Sequence, residues 1–406
     1  MTTTIVIQST AAQSASASKY NYAIGYLRAF IIALVVAHHA ALAYYPLPLL
    51  PPASLVDQPR WWGAFPVLDA HKWTGFAFFA GFNDTFFMSL MFFLSGLFVW
   101  HGLAKKGASK FLRDRLLRLG LPFVVATAVL APLAYYPTYL QISGHDGIAG
   151  YWHQWLSLGN WPAGPGWFLW VLLAFDVIAA LLFVLAPKWG QALGALTSGA
   201  ARRPVLFFAA LAAISAIAYI PLALHFTSLA WTAFGPFTFQ TSRILHYLAY
   251  FLIAVGVGAY GVDRGLLAPD GKLARRWPLW VAAALVIFAA ATVVTLIAIS
   301  TGSQSQGLAI VTDAGFVLSC AASCFAFLAL FLHFARSGSR LFDSLSKNSY
   351  GIYIVHYAFV NWLQYALLPA SLPAIVKWLI VFAGALGLSW LTAAAIRRVP
   401  AVARVV

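Results

Sequence analysis

The chain has 406 residues, 62% of them hydrophobic and only 9% charged, and its mean hydropathy is +0.83. A soluble domain carries about a quarter charged residues, so this composition excludes the soluble classes and marks an integral membrane protein. The net charge of +15 does not point to nucleic acid, because the basic residues fall in short segments between apolar spans, where topology explains them.

Residues 1–20 are rich in Ser, Thr and Ala, with a single Lys19, and are expected to form a disordered tail. Apolar segments long enough to cross the hydrocarbon core then recur to the end of the chain. They fall near 22–45, 76–101, 118–140, 166–186, 204–225, 241–261, 279–299, 308–333, 348–368 and 373–395. The pattern predicts an all-α, polytopic membrane protein: about ten transmembrane helices in one bundle over 21–400, then a short tail at 401–406. Lys19, Arg28, the apolar run 30–37 and Ala41-Leu42-Ala43 also have the form of a cleavable signal peptide. That reading is disfavoured because the apolar run reaches back to Tyr22 and many spans follow.

The basic residues orient the bundle. With the N-terminus in the cytoplasm, 20 of the 25 Lys and Arg fall inside, including the group from Lys105 to Arg118. Arg60, Lys72, Arg243 and Lys377 fall on or near the outside, and Arg28 lies within a span. The asymmetry predicts an even number of spans with both termini cytoplasmic. Of the expected outer segments 46–72, 136–165 and 226–240, the first two are rich in Trp, Pro and His and the third in Phe and Thr. Interfacial aromatic belts explain this, and so would aromatic stacking on a sugar. The chain shows no internal repeat.

Four groups of residues carry candidate chemistry. In the first span, Arg28 and His39 are eleven residues apart. Eleven steps of about 100° return almost to the starting azimuth, so the two share a face, roughly 16 Å apart along the axis. His38 points about 100° away. Arg28 lies close enough to the span's start to snorkel to the interface, or it clamps a phosphate or carboxylate. In the second group, Arg113, Arg115 and Arg118 precede Pro122. Arg115 and Arg118, at i and i+3, share a helix face at the cytoplasmic surface. They serve either as ordinary positive-inside signal or as an electropositive mouth for a polyphosphate. Upstream, Ser95-Gly96 allows close helix approach, usually a structural device.

The third group, Tyr350, Tyr353 and His356, recurs every three residues as a polar stripe on an apolar helix. The fourth is the entry Gly164-Pro-Gly-Trp167-Phe-Leu-Trp170, with Asp176 further in. All ten acidic residues are Asp; those placed within spans, Asp84, Asp176 and Asp313, are candidates to orient or deprotonate a histidine. Cys320 and Cys324 lie on one helix face with neither metal-site nor disulfide spacing and read as small packing residues.

Taken together, these elements resemble the membrane-bound acyltransferase-3 family. Arg28 and His39 match its Arg-x10-His element with the spacing intact. Phe92-Phe93-Leu94-Ser95-Gly96 looks like its Phe-Phe-x-x-Ser-Gly element, one residue short. Arg115, Arg118 and Pro122 match Arg-x-x-Arg-x-x-x-Pro, and Ser349 through His356 match Ser-Tyr-x-x-Tyr-x-x-His. The similarity runs from Tyr20 to Pro400, and the stretch from Trp167 looks nearest the branch that modifies osmoregulated glucans, without a soluble C-terminal domain. One departure is Leu172, where many relatives carry Glu.

The resemblance implies an O-acyltransferase of the bacterial inner membrane. It would move acetyl or succinyl from cytoplasmic acyl-CoA, a substrate rather than a bound cofactor, to a glycan or glycolipid hydroxyl at the outer side. Arg28, His39, Tyr353 and His356 are then the expected catalytic group, and Arg28, Arg113, Arg115 and Arg118 the expected donor-binding group. His39 would act as general base or take the acyl group itself. Tyr350, Tyr353 or His356 would stabilise the oxyanion or hold the acceptor. The lipid bilayer is a further partner, and neither nucleic acid nor a metal is expected. A proton-coupled transporter or flippase would use the same buried Arg, His and Asp, but no two-fold repeat supports it. A non-catalytic assembly protein would tolerate changes at His39.

Overall fold

The computed structural model describes residues 22–46, 54–56, 61–143, 147–303 and 305–405. The expected tail with Lys19, and Arg60, lie outside these residues. The chain follows its apolar segments. Lipid offers no hydrogen bonds, so each segment satisfies its own backbone as a helix.

Along the chain run α1 (Tyr22–Leu42), α2 (Gly75–Gly96), α3 (Val99–Arg115), α4 (Leu121–Val125), α5 (Ala131–Ser143), α6 (Gly147–Leu156), α7 (Trp167–Leu185) and α8 (Trp189–Thr197). They continue as α9 (Pro204–Phe226), α10 (Ile244–Tyr260), α11 (Lys272–Arg275), α12 (Trp277–Thr301), α13 (Gln306–Phe334), α14 (Arg340–Ala366), α15 (Ala374–Ile396) and α16 (Pro400–Ala403). Among the described residues, nine helical stretches are long and apolar enough to cross a membrane. The tenth expected span, 348–368, falls within α14. Its polar stripe lowers its hydropathy, yet it packs against α1, α5 and α15 inside the bundle.

Two features depart from a plain bundle. The basic stretch after α2 is itself helical, as α3, and breaks at Gly107, where φ is +73°. In the outer segment 226–240, β1 (Trp231–Phe234) and β2 (Phe237–Gln240) form an antiparallel hairpin pairing Trp231 with Gln240 and Phe234 with Phe237. Gly235 in its two-residue turn takes φ +57°, as hairpin turns with left-handed residues require. The Trp170 indole donates to the Thr238 carbonyl at 2.8 Å and fastens the hairpin to α7.

α1, α2, α10 and α13 form the buried centre, while α12 packs on α13 at the periphery with only Trp280 and Ala284 buried. Glycine sets the α2–α10 spacing. A Cβ on Gly96 would lie 2.4 Å from the Phe251 carbonyl oxygen, and one on Gly258 would lie 1.9 Å from that of Leu97. The Ser95 hydroxyl turns back onto the Met91 carbonyl at 2.8 Å. The Ser95-Gly96 element is therefore a packing device.

The segment from Leu116 to Ser143 is one continuous but irregular helix. Its stretches Leu116–Gly120 and Ala126–Leu130 are π-helical, flanking α4. Pro122 and Pro137 have no N–H, so the Arg118 and Leu133 carbonyls, four residues back, lack their usual helical donors. α14 supplies them: the Tyr350 hydroxyl donates to the Arg118 carbonyl, and the Trp362 indole to that of Leu133 at 3.0 Å. Asn361 adds a bond to the Ala134 carbonyl at 2.9 Å. The polar residues of α14 therefore suture two helices where proline opened one of them.

Above the bundle, an aromatic cap gathers Trp62, Tyr135, Tyr139, Tyr151 and Trp155 around Tyr357. Burial pushes the Tyr151 phenol well up, with Tyr136 adding to the shift. It therefore stays a neutral donor, here to the Pro132 carbonyl at 2.6 Å. Gln141 clamps Leu68 through both backbone groups, at 3.0 and 2.6 Å.

Candidate functional site

The site forms where α1 and α14 cross beneath this cap. His39 lies in the last turn of α1. His356 is fully buried on the facing side of α14, and its Nε2 stands 3.1 Å from Nδ1 of His39. The other ring nitrogen of His356, Nδ1, is 2.7 Å from the Tyr353 carbonyl one helical turn back. A carbonyl only accepts, so His356 Nδ1 carries the proton, and in the neutral ring its Nε2 accepts. His39 Nδ1 must then donate to it, which leaves the lone pair of His39 on Nε2. The tautomer follows from the hydrogen-bond network.

Packing holds that geometry. The Tyr357 ring meets the His39 ring edge-on, with centroids 5.0 Å apart. The Gln364 amide donates to the carbonyls of His39 and Ala40 at 2.9 and 3.1 Å, and the Trp378 indole to that of Ala37 at 2.9 Å. The carbonyls of His39 and Ala40 lie in the last helical turn of α1, where intrahelical donors run out. A narrow cavity of about 20 Å³ shares Tyr353 and Tyr357 with the site. That is room for about one water.

The other expected site residues separate into two kinds. Tyr353 points its hydroxyl at the Pro165 carbonyl, 2.5 Å away, and so brackets α14 to the entry of α7. With Tyr350 already on Arg118, both phenol protons are committed to backbone. Arg28 is the exposed residue of an otherwise shielded α1, and Arg113 and Arg118 are exposed as well. Arg115 is not: its Nε lies 3.2 Å from the carboxylate of Asp176, which is wholly buried on α7, and its guanidinium covers the Phe111 ring at 4.9 Å. Arg115 and Arg118 therefore differ in exposure and partner, and the π-helical stretch Leu116–Gly120 begins between them.

None of the three aspartates expected in spans is hydrogen-bonded to His39. Asp84 pairs with the buried Arg243 at 2.8 Å and Asp176 with Arg115. Asp313 accepts from Ser228 at 2.9 Å and from Tyr219 at 3.4 Å. Leu172, on α7, packs in the hydrophobic core. A second histidine, not an acid, orients the first. Among the described residues no cluster of three or more His, Cys or Asp is placed to hold a metal ion.

The sequence profile of the acyltransferase-3 family, described as an acyltransferase domain, matches residues 21–394. The chain belongs to the acyltransferase-3 family. No curated protein and no solved structure gives a significant match. The family assignment carries an acyl-transferring activity in a membrane-spanning frame, and the His39–His356 pair lies inside the matched region.

Two features of this acyltransferase-3 protein were not anticipated from sequence. Tyr357, four residues after Tyr353, and Gln364, seven after Tyr357, lie on the same helix face at steps of four and seven, which a strict three-residue period passes over. His246 is buried on α10 with Ser215 at 2.5 Å, Ser89 at 3.0 Å and Cys320 at 3.5 Å. Only its three-residue step from Arg243 hinted at it. Cys320 and Cys324 are buried and unbridged, as packing residues should be.

Proposed function

We propose that this protein is an O-acyltransferase that moves a short acyl group, acetyl or succinyl, from cytoplasmic acyl-CoA to a glycan or glycolipid hydroxyl at the outer side of the inner membrane. The observation that carries the reading is the chain Tyr353 carbonyl, His356, His39. It fixes one tautomer and presents His39 Nε2 as a base, the arrangement a general-base transfer needs.

In the reaction, Nε2 of His39 takes the proton of the acceptor hydroxyl as its oxygen attacks the thioester carbonyl. The new C–O bond forms, the C–S bond breaks, and the leaving thiolate recovers the proton from the imidazolium. His356 accepts the His39 Nδ1–H throughout and steadies the cation that forms. The exposed Arg28, Arg113 and Arg118 meet the phosphates of the donor, whose extended arm spans the distance up α1 to His39. Arg115, held by Asp176, supports the segment that carries Arg118 and does not reach the ligand. Tyr353 and His356 position His39. The aromatic cap, joined to the site through Tyr357, offers faces on which a sugar stacks. The distribution of Lys and Arg supports cytoplasmic termini, and the sequence from Trp167 supports kinship with the glucan-modifying branch.

The test is release of free CoA thiol by the purified protein from acetyl- and succinyl-CoA, with and without glucan acceptor, beside a direct measurement of CoA binding. Acceptor-dependent thiol release is expected. Absence of both turnover and CoA binding would overturn the reading, since a missing acceptor silences turnover but not binding.

A further inference from the structure

On the side where the basic residues gather, away from the histidine pair, a cavity of about 440 Å³ opens between the start of α9 and the residues that lead into α12, Lys272 of α11 and Arg276. Arg202, Arg203, Lys272 and Arg276 line it, and Val205 and Leu206 form part of its apolar wall. No carboxylate lines it. The closest acid in sequence, Asp270, is engaged at 2.9 Å by Arg336. Lys272 donates to the Arg202 carbonyl at 2.9 Å, which ties the two basic segments together across the opening.

Three properties narrow the occupant. First, uncompensated cations around a cavity much larger than one water attract an anion with volume. Second, α9 and α12, 23 and 25 residues long, both begin here with proline in their first turns, so their positive dipole ends reinforce the attraction. Third, the walls continue onto an apolar surface: Val205 and Leu206 are more than half exposed, and only Trp280 and Ala284 of α12 are buried. A soluble phosphate uses the first two properties only. A molecule with a phosphate head and hydrocarbon chains uses all three.

We propose that this cavity is a headgroup site for an anionic glycerophospholipid, with the phosphate among Arg202, Arg203, Lys272 and Arg276 and the acyl chains along α9 and α12. The site shares no residue with the proposed donor-binding group, so it stands or falls independently of the acyl-transfer reading.

Native mass spectrometry of the full chain in detergent tests this, with diphosphatidylglycerol, phosphatidylglycerol, phosphatidylcholine, inorganic phosphate and CoA added separately. The two anionic lipids are expected to bind and phosphatidylcholine not. The triple variant R202Q/R203Q/R276Q should weaken the anionic lipids by about fivefold per charge removed, roughly 100-fold in all. The variant R202K/R203K/R276K keeps the charges and should retain most of the binding, which separates lost recognition from lost folding. Equal binding of anionic lipid by wild type and the Gln variant would overturn the proposal. So would phosphatidylcholine binding as tightly as the anionic lipids, or inorganic phosphate or CoA, rather than lipid, losing affinity in the Gln variant.

Discussion

A histidine that works as a base has to present the correct nitrogen, and here a neighbouring histidine makes the choice. His356 is itself fixed by a backbone carbonyl, so the chain of tautomers ends on a group that cannot titrate. His356→Ala should free the His39 ring to rotate and exchange tautomers. Turnover should fall on the order of 10²-fold or more while CoA binding persists; a KM-against-kcat comparison checks this. His356→Gln, whose amide oxygen still accepts from Nδ1–H, should recover part of the loss. The lone pair on Nε2 exists only in the neutral ring, so kcat/KM should show an acid limb, falling as pH drops and the imidazole is protonated. That limb should disappear along with the activity in His39→Ala. The spacing of Arg28 and His39 was readable because helix geometry makes eleven residues a repeat. The partners of Tyr350 and Tyr353 were not, because both hydroxyls bond to backbone carbonyls, which no side-chain pattern reveals.

Among the elements, α14 carries the most polar contacts for its depth. The prolines that open the segment 116–143 and the α14 side chains that repair it lie more than 200 residues apart. Hydrophobic runs therefore predicted both helices without predicting that one closes the other. Tyr350→Phe should cost about 0.6–2 kcal/mol, the range for interhelical hydrogen bonds in membranes. Pro122→Ala restores an N–H to the Arg118 carbonyl, so the Tyr350→Phe cost should shrink in that background. Melting temperatures of the four proteins in a double-mutant cycle measure the coupling. Purely additive costs would mean that the tyrosine is not serving the proline's vacant carbonyl. The hairpin was not expected because the segment 226–240 read as a connection between spans, and α3 because its charges read the same way.

Across the molecule, the distribution of Lys and Arg set the expected topology, and two of the residues expected outside are buried partners in ion pairs. Lys377 is wholly buried with Nζ 2.6 Å from Asp69, which also holds His71 at 3.0 Å; Arg243 is buried on Asp84. Removing one member strands the other charge, so Lys377→Met should destabilise by about 3–5 kcal/mol, whereas Lys377→Met with Asp69→Asn should recover much of it. Thermal unfolding in detergent distinguishes the two. Gly96→Ala forces α2 and α10 apart against the 2.4 Å approach and should lower the melting temperature more than Ser95→Ala does. The helical bundle and the family were thus foreseeable, while the 3.1 Å contact of His39 with His356 was not. The ion pairs that lock the outer loops were not, since they join residues far apart in sequence.

The most direct experiment compares wild type with His39→Ala for thiol release from acetyl- and succinyl-CoA in the presence of glucan, with CoA affinity measured on the same samples. Loss of turnover with unchanged CoA affinity is the expected result and locates the proton transfer at His39. Equal turnover in both proteins would remove His39, and with it the histidine pair, from the chemistry.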